Sequence, residues 1–397
     1  MKFPERHDTD SNNNSFSSYW KSTGLNILPR YLSKDISIEE SNKWAKYYLE
    51  ADELGDKIAL QYLISKGFKE GLQQLLNDFE CFPANRHQLS PETVDLFQQF
   101  RNVPSWVDFE SINHGTNYCN RCGTAALSVL RNYCLMGGYE SSAINKPLIF
   151  TGALKKGAAK RLSETIDFWI SITEKDELKP GNNGLKSILT TRMIHSFSRI
   201  MIEKQPEWKS NLWGRPINTW DMLATNLGFS IVFIDGLAKL NLAPTTDELK
   251  GTLDLWKYAG YLLGIPLNLL PNNAQEATDY LYLWSKTQKG IDENSKDLAF
   301  ALYQEPLKVT FTKNKLIKWF VHKTNIGYNE ILLGSESRAA LGLPYSYAKY
   351  WVLFLNKINR FVDEKCKNNP EYYQKTVEKG RKEQMNVWEL YHGGSIS

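Results

Sequence analysis

Few residues of this chain have types and spacing that could do chemistry. Cys119-Asn120-Arg121-Cys122 sets two thiols at a separation that can grip zinc or form a redox pair, and His114 or Cys134 could complete such a site. No second pair of this spacing follows, and position 123 is Gly, so the pattern that attaches haem covalently also fails. The alternative is two ordinary thiols near a helix start. Carboxylate pairs such as Glu39-Glu40 and Asp52-Glu53 fall on polar helix faces and read as solvated charge. The glycine loops, nucleophile elbow and HExxH pattern of the commonest nucleotide, hydrolase and zinc-protease sites do not occur.

Among His7, His87, His114, His195, His322 and His392, the one at 195 differs from the rest, since His7 and His392 are expected in frayed termini. Between Leu185 and Lys204, Leu189, Met193, Phe197 and Ile200 belong to an apolar stripe, while Thr191, Arg192, His195 and Arg199 share a different face. Arginines one turn before and after disfavour a protonated imidazole and leave it neutral and able to bind a metal. Arg192 and Arg199 could also pair with the anionic groups of a cofactor, such as haem propionates. The competing reading is a hydrogen-bonded core histidine between surface arginines. One helix earlier, Arg161, Glu164 and Thr165 share a face, with Phe168 and Trp169 leading into aromatic surroundings. Either this is an exposed Arg161–Glu164 pair contributing only a few tenths of a kcal/mol, or the two helices form a hairpin whose polar faces front one cavity.

The elements that must position these residues are helical. Helical spacing is expected over 91–100, 123–137, 158–173, 185–204, 220–240, 247–263, 274–284, 314–322 and 345–366, with three short helices between Ile38 and Phe79. Ser90 before Pro91 reads as an N-cap. Strand signals are confined to 308–311 and 230–234, neither with a hairpin partner. The fold class is therefore all-α: a single irregular helical bundle without repeats or a dividing linker. A disordered leader is expected over 1–20, N-terminal helices over 21–100, a core over 101–300 and C-terminal helices of the same domain over 301–397.

Composition narrows the function classes. In 397 residues, a hydrophobic share of 42% with 23% charged excludes a disordered chain, and a net charge of +4, scattered rather than clustered, argues against nucleic acid as a partner. The apolar run from Leu227 to Leu237 is broken by Asp235 and is far shorter than the roughly 20 residues of a membrane span. Five cysteines, an odd count, and a polar Asn/Ser-rich start predict a reducing, cytoplasmic setting. Aromatic residues make 13% of the chain, enough to line an apolar pocket as well as to fill a core.

A family resemblance rests on Pro104-Ser105-Trp106-Val107-Asp108, Gly138-Tyr139, Thr151-Gly152-Ala153-Leu154, Arg161 to Thr165, Arg192-Met193-Ile194-His195 with Arg199, and Trp213-Gly214-Arg215-Pro216 through Asp221. Thr225, Phe229-Ser230, Asp235-Gly236-Leu237 and Trp256 continue it in order. Over roughly residues 100 to 270 the chain resembles the rubber oxygenases (latex clearing proteins) and MpaB-type oxygenases, which are mostly helical and bind haem b. The resemblance implies that His195 is the proximal ligand of the haem iron, and that Arg161 and Thr165 are the distal pair acting on bound oxygen. Arg192, Arg199, Phe168 and Phe197 are expected to contact the cofactor. Two positions depart from the family pattern. A distal lysine found in some members is Glu164 here, and the family's catalytic glutamate falls on Asn145, with Glu140 the nearest acid. Glu164, on the face of Arg161, is expected to substitute for it. The expected function is a haem b-dependent oxygenase that uses dioxygen or peroxide on an apolar, unsaturated small molecule. The rivals are a non-catalytic haem sensor or carrier and a haem-free helical interaction protein.

Overall fold

The computed structural model describes residues 3–9, 15–21, 26–152, 157–310 and 312–393. The main helices are α1 (Glu53–Ala59), α2 (Phe68–Cys81), α3 (Pro91–Arg101), α4 (Phe109–Arg121), α5 (Ser142–Phe150), α6 (Ala158–Ile172) and α7 (Asn183–Glu203). They continue with α8 (Thr219–Lys239), α9 (Thr246–Leu262), α10 (Ala274–Lys286), α11 (Glu293–Lys308), α12 (Lys315–Leu332), α13 (Lys349–Asn368) and α14 (Pro370–Tyr391). No strand forms among the described residues; an isolated bridge joins His7 to Gln288. Neither suspected strand forms among the described residues: Lys308 ends α11, 309 and 310 follow it outside any helix and 311 lies outside the described residues, while 230–234 lies inside α8, where a wider π-turn runs from Gly228 to Val232. The bundle is all-α, with one continuous apolar core.

Helix starts follow from capping chemistry. Ser90 Oγ accepts the Thr93 N–H at 3.2 Å ahead of Pro91, and Thr245 with Glu248 closes a capping box at the start of α9. α4 packs closely against α9, and two glycines make this possible. A Cβ on Gly115 would lie 2.4 Å from the backbone of Gly251. Around this contact Arg121 is almost fully buried and is paired by Glu248 at 2.6 Å and Asp363 at 2.9 Å, tying α4, α9 and α13 together. α14 then covers α4 and α6.

The described residues of the expected disordered leader, 3–9 and 15–20, are instead tied to the core. Arg6, 2% exposed, grips Asp221 through both of its terminal nitrogens, at 2.6 and 2.8 Å, and donates to Gln288. Phe16 is buried and donates its N–H to Glu140. The leader carries no apolar periodicity because a few single anchors hold it rather than a repeating face. The termini are also better tied than expected: His7 bonds Asn42, and His392 stacks on Trp388 beside Asp167.

The glycine contact predicts a stability effect opposite to propensity. Gly115→Ala would stabilise a solvent-exposed helix by about 1 kcal/mol. Here urea melts should show a loss of about 1–3 kcal/mol, because the added methyl meets backbone that has no room to yield.

Candidate active site

α6 and α7 pack against each other as the sequence predicted, joined through the turn near Pro180. They present two separate clusters. The first is built around His195. Its ring makes no hydrogen bond among the described residues, and Nδ1 is a buried polar atom without a partner. Burial first, then the charge of Arg199, lowers its pKa to about 4, so the imidazole is neutral at physiological pH. A small cavity of about 10 Å³, room for about one water, adjoins it, lined by Ile217, Thr219, Met222, Leu263 and Gly264 among others. The hydrogen-bonded core histidine weighed from sequence is therefore not what forms.

Arg192 and Arg199 do not stand free to receive a cofactor's anionic groups. Arg192 makes a bidentate pair with Asp52, at 2.6 and 2.7 Å, and also donates to Gln99 and the Leu262 carbonyl. Arg199 pairs with Asp56 at 3.0 Å and donates to the Ile217 carbonyl. Asp52, read from sequence as solvated charge, is thus the N-cap of α1 and the counter-ion of α7. Burial raises its pKa, but Arg192's charge and hydrogen bonds outweigh that and leave it lowered overall. The fit is tight: a Cβ on Gly264 would fall 2.6 Å from the Asp52 carboxyl. Phe197 also departs from expectation. It packs on Phe68 at 4.9 Å, on the side of α7 away from the arginines.

The second cluster is built on α6. Arg161 Nη1 donates to the Tyr139 hydroxyl at 2.8 Å, and its guanidinium lies 5.3 Å from the centre of that ring. Among the described residues it has no carboxylate partner. Thr165 donates to the Arg161 carbonyl at 2.9 Å, which fixes its hydroxyl one turn along the same face. Burial raises the pKa of Tyr139 against the lowering charge of Arg161, and the phenol keeps its proton. Asn145, buried on α5, donates to the Tyr139 carbonyl at 3.1 Å, so the position of the missing glutamate does reach this cluster. Tyr139 was visible in the sequence only as half of a Gly-Tyr pair, and nothing in its spacing pointed to Arg161. Ala153 and Leu154 lie outside the described residues.

Glu164 does not join Arg161. Its side chain is 65% exposed and its neighbour is Lys160 at 4.0 Å, because at i+3 it turns past the buried face that Arg161 and Thr165 share. Glu140 is not available to Arg161 either, since it accepts the Phe16 N–H near Lys239. Phe168 does lie in aromatic surroundings: it approaches Trp256 at 6.3 Å, which stacks on Phe229 at 4.8 Å, and the π-turn of α8 carries that last ring. The Cys119/Cys122 pair is buried, with both thiols shifted upward chiefly by burial, so neither offers a thiolate at neutral pH. No group of three or more metal-binding side chains assembles among the described residues.

Glu140 generates a pH prediction. Burial pushes its carboxyl up to about 7 from an unfolded value of 4.5. The folded state therefore binds the extra proton between these values, and its contribution to stability is lost as pH rises from 4.5 through 7. Urea melts at pH 5 and pH 8 should show that Glu140→Gln, which keeps an acceptor for Phe16, gains stability at pH 8 and flattens the decline. Unchanged pH dependence would place the titrating group elsewhere.

Comparison with known proteins agrees with this architecture. The fold is shared with a solved structure of latex clearing protein LCP in its closed state, at a TM-score of 0.63 and 16% identity over 83% of this chain and 91% of that one. No curated protein matches the chain by sequence. A family profile described as "ER-bound oxygenase mpaB/B'/Rubber oxygenase, catalytic domain" matches residues 121–362. That span exceeds half the chain and contains Tyr139, Arg161, Thr165, Arg192, His195 and Arg199, though not the partners Asp52 and Asp56, so the chain belongs to the mpaB/B' and rubber oxygenase catalytic-domain family.

Proposed function

We propose that the protein is a haem b-dependent oxygenase of an apolar, unsaturated small molecule, with His195 as the protein ligand of the iron. The observation that carries this reading is the state of His195: neutral, without a hydrogen-bond partner, and held on a helix fixed from both sides. A histidine with only a packing role would be expected to satisfy its ring nitrogens. The unpartnered neutral imidazole thus has the chemistry of a haem ligand, beside a cavity that in this structure has room for about one water. Haem bound there would supply an iron centre able to activate dioxygen or peroxide.

The chain's own residues supply the rest. Arg161, positioned by Tyr139, offers donors and an uncompensated positive charge to negative charge developing on the oxidant. Thr165 spends its proton on the Arg161 carbonyl, so its oxygen remains free to accept a hydrogen bond from the oxidant or from a water. Phe168, Trp256 and Phe229 give an apolar wall suited to a hydrocarbon substrate and exclude water from it. Arg192 and Arg199 act as positioning residues for the ligand helix. The free, buried thiols Cys119 and Cys122 suit a reducing compartment such as the cytoplasm.

One observation favours a second reading. No carboxylate joins Arg161 among the described residues, and Asn145 stands at the family's glutamate position. A haem-binding carrier or sensor without turnover would need no base there.

Protein produced with ample haem should show a Soret band that His195→Ala abolishes. Arg161→Ala should retain the band and lose about 10²–10³-fold in oxygenation of an alkene or terpenoid substrate, whereas Glu164→Gln should change neither. Haem binding with no turnover across such substrates selects the carrier reading, and absence of iron in wild-type protein refutes both.

A further inference from the structure

Exposed apolar surface is concentrated in one place. Of the twenty-one large apolar side chains exposed among the described residues, twelve lie between Leu316 and Phe361, on α12, α13 and the turn preceding α13. α12 and α13 pack through Ile326 and Val352, both buried, and through Gly327, where a Cβ would lie 2.7 Å from the Ala348 carbonyl oxygen. The pair is therefore complete without its outer rings. Trp319, Phe320, Trp351 and Phe354 remain on the outside at 41–55% exposure. Phe320 meets Trp351 across the two helices at 5.9 Å, and Trp351 stacks on Phe354 at 5.6 Å, so the patch is continuous. An isolated exposed ring needs no explanation, but a contiguous patch of this kind marks an interaction surface.

Lysines share the surface. Lys349 lies over Tyr345 at 4.9 Å and Tyr350 at 5.4 Å, and Lys365 lies over Phe361 at 4.8 Å. From 313 to 365 the sequence holds nine Lys and Arg against four acids, Glu330, Glu336, Asp363 and Glu364. All four acids are already paired, with Arg338, Lys21, Arg121 and Arg360 respectively. We propose that the α12–α13 face is a peripheral membrane-docking surface that lies on anionic lipid, with its aromatic rings at headgroup depth and its lysines against the lipid charge. Charge complementarity selects this occupant. A second copy docked by twofold symmetry would set lysine-rich surface against itself, whereas an anionic bilayer accepts both the rings and the charge. The contact is peripheral: among the described helices only Thr219–Lys239 is long and apolar enough to cross a membrane, and 78% of its apolar window is buried inside the protein.

The full-length protein should co-sediment with phosphatidylcholine–phosphatidylserine vesicles, bind vesicles of phosphatidylcholine alone far more weakly, and lose affinity as salt rises. Lys349→Gln and Lys365→Gln should each reduce the partition about fivefold. The double substitution Trp351→Ser with Phe354→Ser should abolish binding while leaving the circular dichroism spectrum and thermal melt unchanged. Three results would overturn the proposal: no binding to either vesicle, binding indifferent to these substitutions, or a lipid-free dimer in sedimentation velocity that the Trp351/Phe354 variant dissolves, which would assign the face to a second copy.

Discussion

The site depends on two buried ion pairs. Arg192 with Asp52 and Arg199 with Asp56 flank His195 one turn on either side and clamp α7 to α1. A guanidinium buried without a partner carries a heavy desolvation cost, so removing either carboxylate would leave α7 strained at this point. Each pair also has a geometric role. A bidentate fork permits one helix register, and Gly264 gives Asp52 the space it needs, so the pairs fix where the imidazole stands. Arg199 further disfavours a charged ring. Burial is the larger cause of its neutral state, and Arg199 adds to it while Asp52 opposes it.

Against this background the second cluster gains its meaning by contrast. Arg6, Arg121, Arg131, Arg192 and Arg199 are all deeply buried, and each has an acid at ion-pair distance. Arg161 is half-buried and has a phenol instead. A half-buried arginine that meets a phenol rather than a carboxylate keeps positive potential at that point. Such potential costs stability unless a ligand or a reacting group uses it.

The legibility of these features in the sequence followed from their physics. Helices with a repeating apolar face, such as α6 to α9, were visible almost to the residue, and so was the pairing of α6 with α7. The helices α5, α11 and α14 were not, since Pro147 and Pro306 interrupt two of them and α14 is largely polar. The leader was misread because single buried groups, Arg6 and Phe16, anchor it without any period. His195, Arg161 and Thr165 were singled out through their spacing and the family likeness. The partners of the arginines were not, because Asp52 and Asp56 lie about 140 residues from them in the chain, and an acidic residue at a helix start looks the same whether it faces water or a buried cation. Glu164 failed for a related reason: i+3 and i+4 neighbours of Arg161 share a broad face, and only packing shows which edge of it is covered.

α11 connects the two surfaces to which function has been assigned. It packs on α12 of the aromatic face on one side, and on α5 and α6, which carry Asn145 and Arg161, on the other. Near its end Glu305 pairs with Arg131 and accepts from Tyr391, so α11 is held rigidly to the core rather than floating between them. An apolar molecule concentrates in lipid rather than in water, so the proposed docking face, one helix away from the proposed oxidising site, would shorten the aqueous path of the proposed substrate. The two assignments remain physically independent, because the docking face rests on exposed rings and lysines and the site on buried polar groups. Under the proposed function, their spacing across α11 would bring a poorly soluble molecule from the docking face toward the imidazole of His195 and the guanidinium of Arg161.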